Sequence, residues 1–139
     1  MKDENCAYCM QGALLDNFGI KVCDLKFSTL ILFKEQSKPG RFIVAYNEHV
    51  SEIVDLSDDN RNAFMEDVAK AAKAIHAAFK PDKVNYGAYG DTGHHLHFHL
   101  VPKYKDSDEW GGVFQMNPGK VYLTDGEYTE MIDKIQANL

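Results

Sequence analysis

The hydrophobic positions between residues 28 and 46 follow the pattern of two neighbouring strands. Ser28–Phe33 reads STLILF and Arg41–Tyr46 reads RFIVAY, and both runs are rich in β-branched and aromatic residues. Pro39 and Gly40 lie between them and are typical of a turn. The pattern therefore predicts an antiparallel pair of strands.

A helical period replaces this alternation after Ser57. The apolar positions then recur every three or four residues, at Phe64, Val68, Ala71, Ala72, Ile75 and Phe79. Ser57 can cap the start of a helix, and Lys80 and Pro81 suit its end. The spacing predicts one long amphipathic helix from about residue 58 to about residue 79.

Two more strands and a second helix are predicted downstream. Lys83–Ala88 and His95–Pro102 have strand composition, and the glycine-containing loop Tyr89–Gly93 joins them. Thr124, with Glu127 three residues later, forms a capping-box pattern at the start of a C-terminal helix. Because strands and helices are segregated along the chain, we expect an α+β fold with an antiparallel sheet.

Length and charge narrow the classes of function. The chain has 139 residues, which fits a single domain spanning 1–139. A net charge of −6 argues against a nucleic-acid polymer or an anionic membrane as partner. The most apolar stretch, Phe27–Phe33, is too short to span a bilayer. Three cysteines cannot all pair with one another, so we expect reduced thiols and a cytoplasmic protein.

Four of the six histidines are concentrated between residues 94 and 99. On an extended strand His95, His97 and His99 share one face, while the alternate apolar residues line the other. An imidazole can attack an electrophile, move a proton near neutral pH or bind a metal. If the electrophile is a phosphate, the neutral middle imidazole can attack phosphorus while a protonated neighbour hydrogen-bonds the developing charge.

The run HLHFHLV, residues 95–101, resembles the signature of the histidine triad (HIT) family, in which three histidines alternate with apolar residues. The resemblance continues upstream through LFKEQSKPG, EHVSEIVDLSDD and Gly90-Asp91, and covers most of residues 22–104. It implies a HIT-like fold: an antiparallel sheet of about five strands, one long helix and a C-terminal helix. It also implies a homodimer that hydrolyses or transfers nucleotide phosphates, with a nucleotide or dinucleoside polyphosphate as substrate.

The same resemblance implies a role for each histidine of the triad. The middle residue, His97, would form a covalent nucleotidyl-histidine. His99 would contact the transferred phosphate and protonate or otherwise assist the leaving group, and His95 would orient its neighbours. Water would enter in the second of the two displacements at phosphorus.

Two positions depart from the family pattern. Phe33 stands where many members carry an Asp or Asn that holds the ribose hydroxyls, and Asp91 stands where a Gln often touches the phosphate. Asn85 lies near the place of a polar family residue, and Gln36 is either a further polar contact or a solvated turn residue. We predict Phe33, Gln36, Asn85 and Asp91 as the nucleotide-binding set.

The pair Cys6-x-x-Cys9 has three interpretations on its own: a redox couple, a metal site or two unconnected thiols. A structural zinc ion needs four nitrogen or sulfur ligands, which His49 and His95 could complete. Some HIT proteins and the related galactose phosphate uridylyltransferases look the same in these positions. That resemblance implies a structural zinc ion held by Cys6, Cys9, His49 and His95, which would tie the N-terminal segment to the sheet and orient His95.

Two other functions stay open from the sequence. In a zinc-dependent hydrolase His95, His97 and His99 would themselves be the ligands, but they span about 13 Å on a straight strand and would need a bend to meet one ion. A non-catalytic, nucleotide-binding, zinc-containing dimer is motivated by the departures at Phe33 and Asp91.

Overall fold

The computed structural model describes residues 2–139 and contains a five-stranded antiparallel sheet. The strands are β1 Gly19–Asp24, β2 Ser28–Phe33, β3 Phe42–Tyr46, β4 Lys83–Gly87 and β5 His97–Lys103. Their order in the sheet is β1-β2-β3-β5-β4, and each neighbouring pair is antiparallel. The α+β fold with an antiparallel sheet that the sequence predicts is confirmed.

Within the described residues, four α-helices and one 3₁₀ turn accompany the sheet. The helices are α1 Ala7–Met10, α2 Gly12–Asp16, α3 Asp58–Phe79 and α4 Asp125–Gln136, and the 3₁₀ turn is Ile53–Asp55. The helix α3 has the bounds that its period predicts. Ser57 Oγ accepts a hydrogen bond from the backbone N–H of Asn60 at 3.2 Å at its start, and Lys80, in the left-handed region with φ 51°, ends it.

The C-terminal helix begins with the capping box that the sequence predicts. Thr124 Oγ1 accepts from the backbone N–H of Glu127 at 3.2 Å, and Glu127 Oε1 accepts from the backbone N–H of Thr124 at 2.9 Å. Tyr128 and Ile135 of α4 are buried in the same core as α3 and the sheet. Within residues 2–139, every helix is too short or too polar to cross a membrane.

Several element bounds differ from the predictions. The strand predicted for His95–Pro102 begins at His97. The backbone N–H of Leu96 donates to the carbonyl oxygen of Val50, in the segment that follows β3, at 2.7 Å, and so is not available to a neighbouring strand. The strand predicted from Arg41 begins at Phe42, and the one predicted to Ala88 ends at Gly87. The strand β1 and the short helices α1 and α2 were not predicted individually.

The two faces of the sheet carry different layers. The main core lies under α3 and α4, where Leu30, Leu32, Phe42, Val44 and Leu100 are fully buried. On the opposite face a smaller cluster contains Leu15, Ile31, Phe33, Ile43 and Ala45. The alternation of β5 places His97 and His99 on this second face. The strand therefore presents both histidine side chains on the face of the sheet opposite α3 and α4.

The segment after β5 is fastened to the turn between β2 and β3 by the buried carboxylate of Glu35. This side chain accepts hydrogen bonds from the backbone N–H groups of Ser37, Lys120 and Val121, each at 2.9 Å, and from Ser37 Oγ at 2.6 Å. These bonds to the ionised form hold the pKa of Glu35 below its usual value even though burial opposes the shift. The fastening brings residues 113–117 over the histidine face.

Candidate active site

The histidine face opens into a cavity of about 860 Å³. His97 and His99 line it together with the N-terminal segment, the loop 89–94 and residues 113–117. Much of its wall is aromatic, contributed by Tyr8, Phe18, Phe33, Tyr89 and Phe114. A cavity of this size, with a few convergent polar groups on apolar walls, is typical of a small-molecule site.

The hydrogen bond made by His97 determines which of its nitrogens can attack. Nδ1 of His97 lies 2.6 Å from the carbonyl oxygen of His95. A carbonyl oxygen only accepts, so Nδ1 carries the proton of the neutral ring. The lone pair is therefore on Nε2, the nitrogen that an attack on phosphorus requires.

His99 has the opposite arrangement because its partner is a cation. Arg41 Nη2 lies 3.1 Å from His99 Nδ1, and a guanidinium group only donates hydrogen bonds. The Nδ1 atom of His99 must then accept, which puts the proton of the neutral ring on Nε2. The ring of His99 lies 5.2 Å from that of His97, centroid to centroid, so an N–H donor stands beside the lone pair of His97.

Arg41 is itself buried, with 1% of its surface exposed. Its guanidinium lies 4.0 Å from the ring centroid of Phe33 and 5.2 Å from that of Phe114, and Nη1 donates to the carbonyl oxygen of Gln115 at 3.4 Å. Its Nε is buried without a hydrogen-bond partner among the described residues. Burial lowers the pKa of Arg41 to about 10, so the group is still charged at pH 7.

The imidazoles of the triad are neutral near pH 7. Burial is the main reason that the pKa of His99 falls to about 3, and the charges of Arg41 and His97 add to it. Burial also lowers the pKa values of His95 and His97. The sequence suggested a protonated histidine beside the nucleophile. In the structure the positive charge next to His99 belongs to Arg41 instead.

The four predicted metal ligands converge at one place. The ligand atoms of Cys6, Cys9, His49 and His95 all lie within 4.8 Å of one another. His95 Nε2 lies 2.6 Å from the carbonyl oxygen of Tyr46, so Nε2 holds the proton and Nδ1 offers its lone pair to this cluster.

The distances within this cluster fit a tetrahedral zinc ion. The Nδ1 atom of His95 lies 3.4 Å from the Sγ atoms of both cysteines, and His49 Nδ1 lies 3.3 Å from His95 Nδ1 and from Cys9 Sγ. Tetrahedral bonds of about 2.3 Å to sulfur and about 2.05 Å to nitrogen place two nitrogens about 3.3 Å apart and a nitrogen and a sulfur about 3.6 Å apart. The donor set and its spacing therefore match structural zinc.

Tyr8 connects this cluster to His97. It lies between Cys6 and Cys9 in the sequence, and its ring stacks on that of His97 with centroids 4.6 Å apart and planes 30° apart. Its ring also lies 5.4 Å from that of His95 and makes an edge-to-face contact with Phe18 at 5.7 Å. Whatever holds the two cysteines in place therefore also positions one wall of the cavity against His97.

The structure places two residues of the predicted nucleotide-binding set in the cavity and two outside it. Phe33 and the exposed Asp91 line the cavity. Gln36 is buried in the β2–β3 turn, where Nε2 donates to the carbonyl oxygens of Phe33 and Arg41 and Oε1 accepts from Gly40 N–H. Asn85 lies on β4 opposite Val101 and does not line the cavity. Trp110, exposed at 44%, does not line it either.

Sequence reasoning missed Arg41 and Tyr8. Arg41 stands at the start of a strand, where a charged residue is usually solvated, and it is 58 residues from His99. Tyr8 stands between Cys6 and Cys9, and the cysteine pair is the signal that this segment carries. An arginine among apolar residues at the end of a turn is a weak signal, and only the fold shows that both residues lie beside the triad.

The HIT domain family model matches residues 19–106, which include the triad. The chain therefore belongs to the HIT family. Among curated relatives, Protein hit of Bacillus subtilis is 26% identical over 117 residues, covering 81% of this chain and 80% of that protein. An AP-4-A phosphorylase of Mycobacterium tuberculosis is 31% identical over 105 residues, covering 71% of this chain but only 51% of that enzyme.

Solved structures agree on the fold. A histidine triad protein from Sinorhizobium meliloti superposes with a TM-score of 0.83 at 20% identity, covering 90% of this chain and 93% of that one. A zinc-bound histidine triad family protein from Mycobacterium smegmatis has a TM-score of 0.66 at 18% identity, covering 96% and 91%. At these identities the likeness establishes the architecture.

Proposed function

We propose that this protein is a nucleotide phosphate hydrolase or nucleotidyl transferase that works through a covalent nucleotidyl intermediate on His97. The observation that carries the proposal is the hydrogen bond from His97 Nδ1–H to the carbonyl of His95, which leaves the Nε2 lone pair available to the cavity. The relation to an AP-4-A phosphorylase supports a nucleotide or dinucleoside polyphosphate as substrate.

The reaction proceeds in two displacements. In the first, the lone pair of His97 Nε2 forms a bond to phosphorus, and the bond to the leaving oxygen breaks, with its electron pair departing on the leaving group. The His97 ring then carries a positive charge, which the carbonyl of His95 stabilises through Nδ1–H. In the second, a water oxygen attacks phosphorus, the P–N bond returns its electrons to Nε2, and the water proton passes to solvent.

The other site residues assist in different ways. His99 and the charge of Arg41 behind it stabilise negative charge on the phosphoryl oxygens. Phe33 and Asp91 line the cavity that would receive the nucleotide, and His95 holds His97 through its carbonyl. The aromatic wall offers surfaces on which a base can stack.

We also propose that Cys6, Cys9, His49 and His95 hold a structural zinc ion, which would cross-link the N-terminal segment to the sheet. The fit of the four ligand atoms and the zinc-bound relative support this. Cys6, Cys9 and Cys23 are thiols outside any disulfide bond, which supports a reducing compartment such as the cytoplasm.

The chain is further proposed to act as one domain and to form a homodimer. The burial of α4 residues in the same core as the sheet supports the single domain. The strand β4 is an edge of the sheet and exposes 51% of Tyr86, which supports a partner along that edge. Light scattering after gel filtration measures the mass of the assembly, and a monomer at micromolar concentration would contradict the dimer.

A non-catalytic nucleotide-binding dimer is the second candidate, because Tyr8 covers one face of His97 and only 7% of His97 is exposed. The stacking blocks the face of the ring and leaves its edge free. Since the lone pair of Nε2 lies in the ring plane, this contact is compatible with attack. We therefore favour the enzyme.

Mass spectrometry after brief mixing with diadenosine tetraphosphate decides between the two. The enzyme hypothesis expects an adduct of one nucleoside monophosphate on His97, and its loss in His97→Gln. His76→Gln is the matched control, since His76 is an exposed histidine on α3 away from the cavity. Nucleotide binding without adduct or turnover would refute the enzyme and favour the second candidate.

A further inference from the structure

The contact between Arg41 and His99 restricts what His99 can do for a leaving group. Both side chains are buried, and Arg41 Nη2–H donates to His99 Nδ1 at 3.1 Å. A protonated His99 would turn an N–H toward the guanidinium and place two positive charges in contact. The pair is therefore compatible with one form of the ring, neutral with the proton on Nε2.

A neutral Nε2–H group can hydrogen-bond to substrate but cannot give its proton away. Loss of that proton would leave an imidazolate anion, which is far too basic to form near pH 7. A neutral histidine in an active site can still act as an electrophile by hydrogen bonding alone. His99 is thus a donor that polarises an oxygen and not an acid that protonates a leaving atom.

We infer that Arg41, acting through His99, makes this enzyme prefer phosphoanhydrides over phosphoramidates. The leaving group of a phosphoanhydride departs as a stable anion, whereas that of a phosphoramidate does not. This inference rests on the proposed function. When His97 Nε2 displaces a phosphate or nucleotide from an anhydride, the electron pair of the broken P–O bond stays on an oxygen that needs no proton. When it displaces an amine, the nitrogen must gain a proton before or as the P–N bond breaks.

The other ionisable side chains that line the cavity away from the metal cluster include Asp3, Asp91 and His94, all exposed. His99 is the buried ring in edge contact with His97, at 5.2 Å between centroids, and so lies beside the ring that attacks phosphorus in the proposed reaction. Glu35 and Glu109 act on Arg41 through their charges and help to keep it protonated. Arg41 is a positioning residue here, since His99 stands between it and the substrate.

The test compares two substrates that differ in the leaving group alone. Diadenosine tetraphosphate supplies the anhydride, and the amide of adenosine monophosphate with a simple alkylamine supplies the phosphoramidate. The wild-type protein should favour the anhydride in kcat/KM by about 100-fold or more, which is the usual contribution of general acid catalysis that the amine would lack. The difference should appear in kcat as well as in kcat/KM, because a change confined to KM would reflect only the binding of the larger ATP leaving group.

Replacement of Arg41 should change this preference in a direction that simple damage does not. In Arg41→Met the anhydride rate should fall about 10- to 100-fold, as for other residues that orient a catalytic group. His99 can then take up a proton, so the phosphoramidate should lose less or gain, and the ratio between the substrates should shrink at least tenfold. Arg41→Lys keeps a donating cation and should keep most of the preference.

Lys38→Met is the matched control. Lys38 is another buried cation of the same turn, but its partners are Asp108 at 3.0 Å and Glu109 at 2.9 Å, away from His99. Its loss should leave the ratio of the two substrates unchanged. A comparable change in both variants would assign the effect to general disruption of the turn and overturn the inference.

Nuclear magnetic resonance gives a readout that does not depend on turnover. Long-range ¹H–¹⁵N spectra of the imidazole rings should show His99 protonated on Nε2 and unprotonated on Nδ1 from pH 6 to 8. This tautomer should no longer be the fixed form of His99 in Arg41→Met. A His99 with its proton on Nδ1 would overturn the inference. So would equal turnover of both substrates by the wild type, which leaves the proposed function standing, whereas turnover of neither substrate refutes both.

Discussion

Acid should destabilise this protein through His99 over a defined range of pH. The pKa of His99 is about 3 in the folded protein, against an ordinary value of 6.5 in the unfolded chain. Between these two values the unfolded chain binds a proton that the folded protein does not. The free energy of unfolding therefore rises with pH in this window, and the stability present above pH 6.5 is lost as pH falls toward 3.

The size of the effect follows from the width of the window. One pH unit across which the two states differ by a full proton changes the free energy of unfolding by about 1.4 kcal/mol. The whole window then amounts to about 5 kcal/mol, and the part between pH 6.5 and 4.5 to about 2.5 kcal/mol. This is a large share of the total stability of an ordinary domain, about 5–15 kcal/mol.

Urea unfolding followed by circular dichroism at pH 7.5, 6.5, 5.5 and 4.5 measures this dependence. His99→Asn is the variant to compare, because its amide oxygen can replace Nδ1 as acceptor for Arg41 and it does not titrate. Both proteins are studied with a chelator present, so that zinc release in acid does not enter. The other acid-sensitive groups contribute to both proteins and cancel in the difference. Equal slopes for wild type and variant would refute the buried, neutral His99 on which the reasoning depends.

Three further changes test other parts of the structure. Cys9→Ser should abolish stoichiometric zinc in elemental analysis and lower the thermal midpoint, and full retention of zinc would contradict the metal site. Glu35→Gln should lower the free energy of unfolding in urea at pH 7 by about 2–3 kcal/mol, because a charged acceptor of four hydrogen bonds is lost. The difference between wild type and variant should shrink as pH falls through the lowered pKa of Glu35. A difference that stays constant with pH would contradict this role of the carboxylate. Gly40→Ala should cost about 1–3 kcal/mol, since φ is 91° and an added Cβ would lie 2.9 Å from the ring of Phe79, and an unchanged midpoint would show that the turn relaxes freely.

The elements that could be predicted from sequence are those with a strong local signal. The bounds of β2 and α3 match because each has an uninterrupted period and a clear stop, Pro39-Gly40 for the strand pair and Lys80 for the helix. Beyond Gly19 the residues of the strand β1 are half-buried or exposed, and its pairing with β2 has a register shift between Lys21 and Cys23, so its pattern is weak. The helices α1 and α2 have four and five residues, too few to show a period.

The candidate site could be predicted in its residues but not in its proton positions. The triad follows from residue type and spacing, the set of four metal ligands follows from the resemblance to the HIT family, and the structure brings each of these sets together. The state of each imidazole depends on which atom its second nitrogen meets. For His95 that atom belongs to Tyr46, and for His99 to Arg41, each distant in sequence. No pattern within residues 94–99 reveals these two partners, whereas the partner of His97, the carbonyl of His95, lies within that segment.

Those partners explain how three identical side chains on one segment divide the chemistry. A carbonyl opposite one nitrogen forces a lone pair onto the other, which suits His95 to the proposed metal site and His97 to the proposed nucleophilic role. A guanidinium opposite one nitrogen forces a proton onto the other, which makes His99 a donor. The nucleophile and the donor must differ in this way, because two lone pairs facing one phosphoryl group would repel its oxygens and two N–H groups would leave nothing to attack phosphorus. In the proposed reaction, the placement of Arg41 behind the third histidine and of a carbonyl behind the second therefore assigns hydrogen-bond donation to His99 and attack on phosphorus to His97.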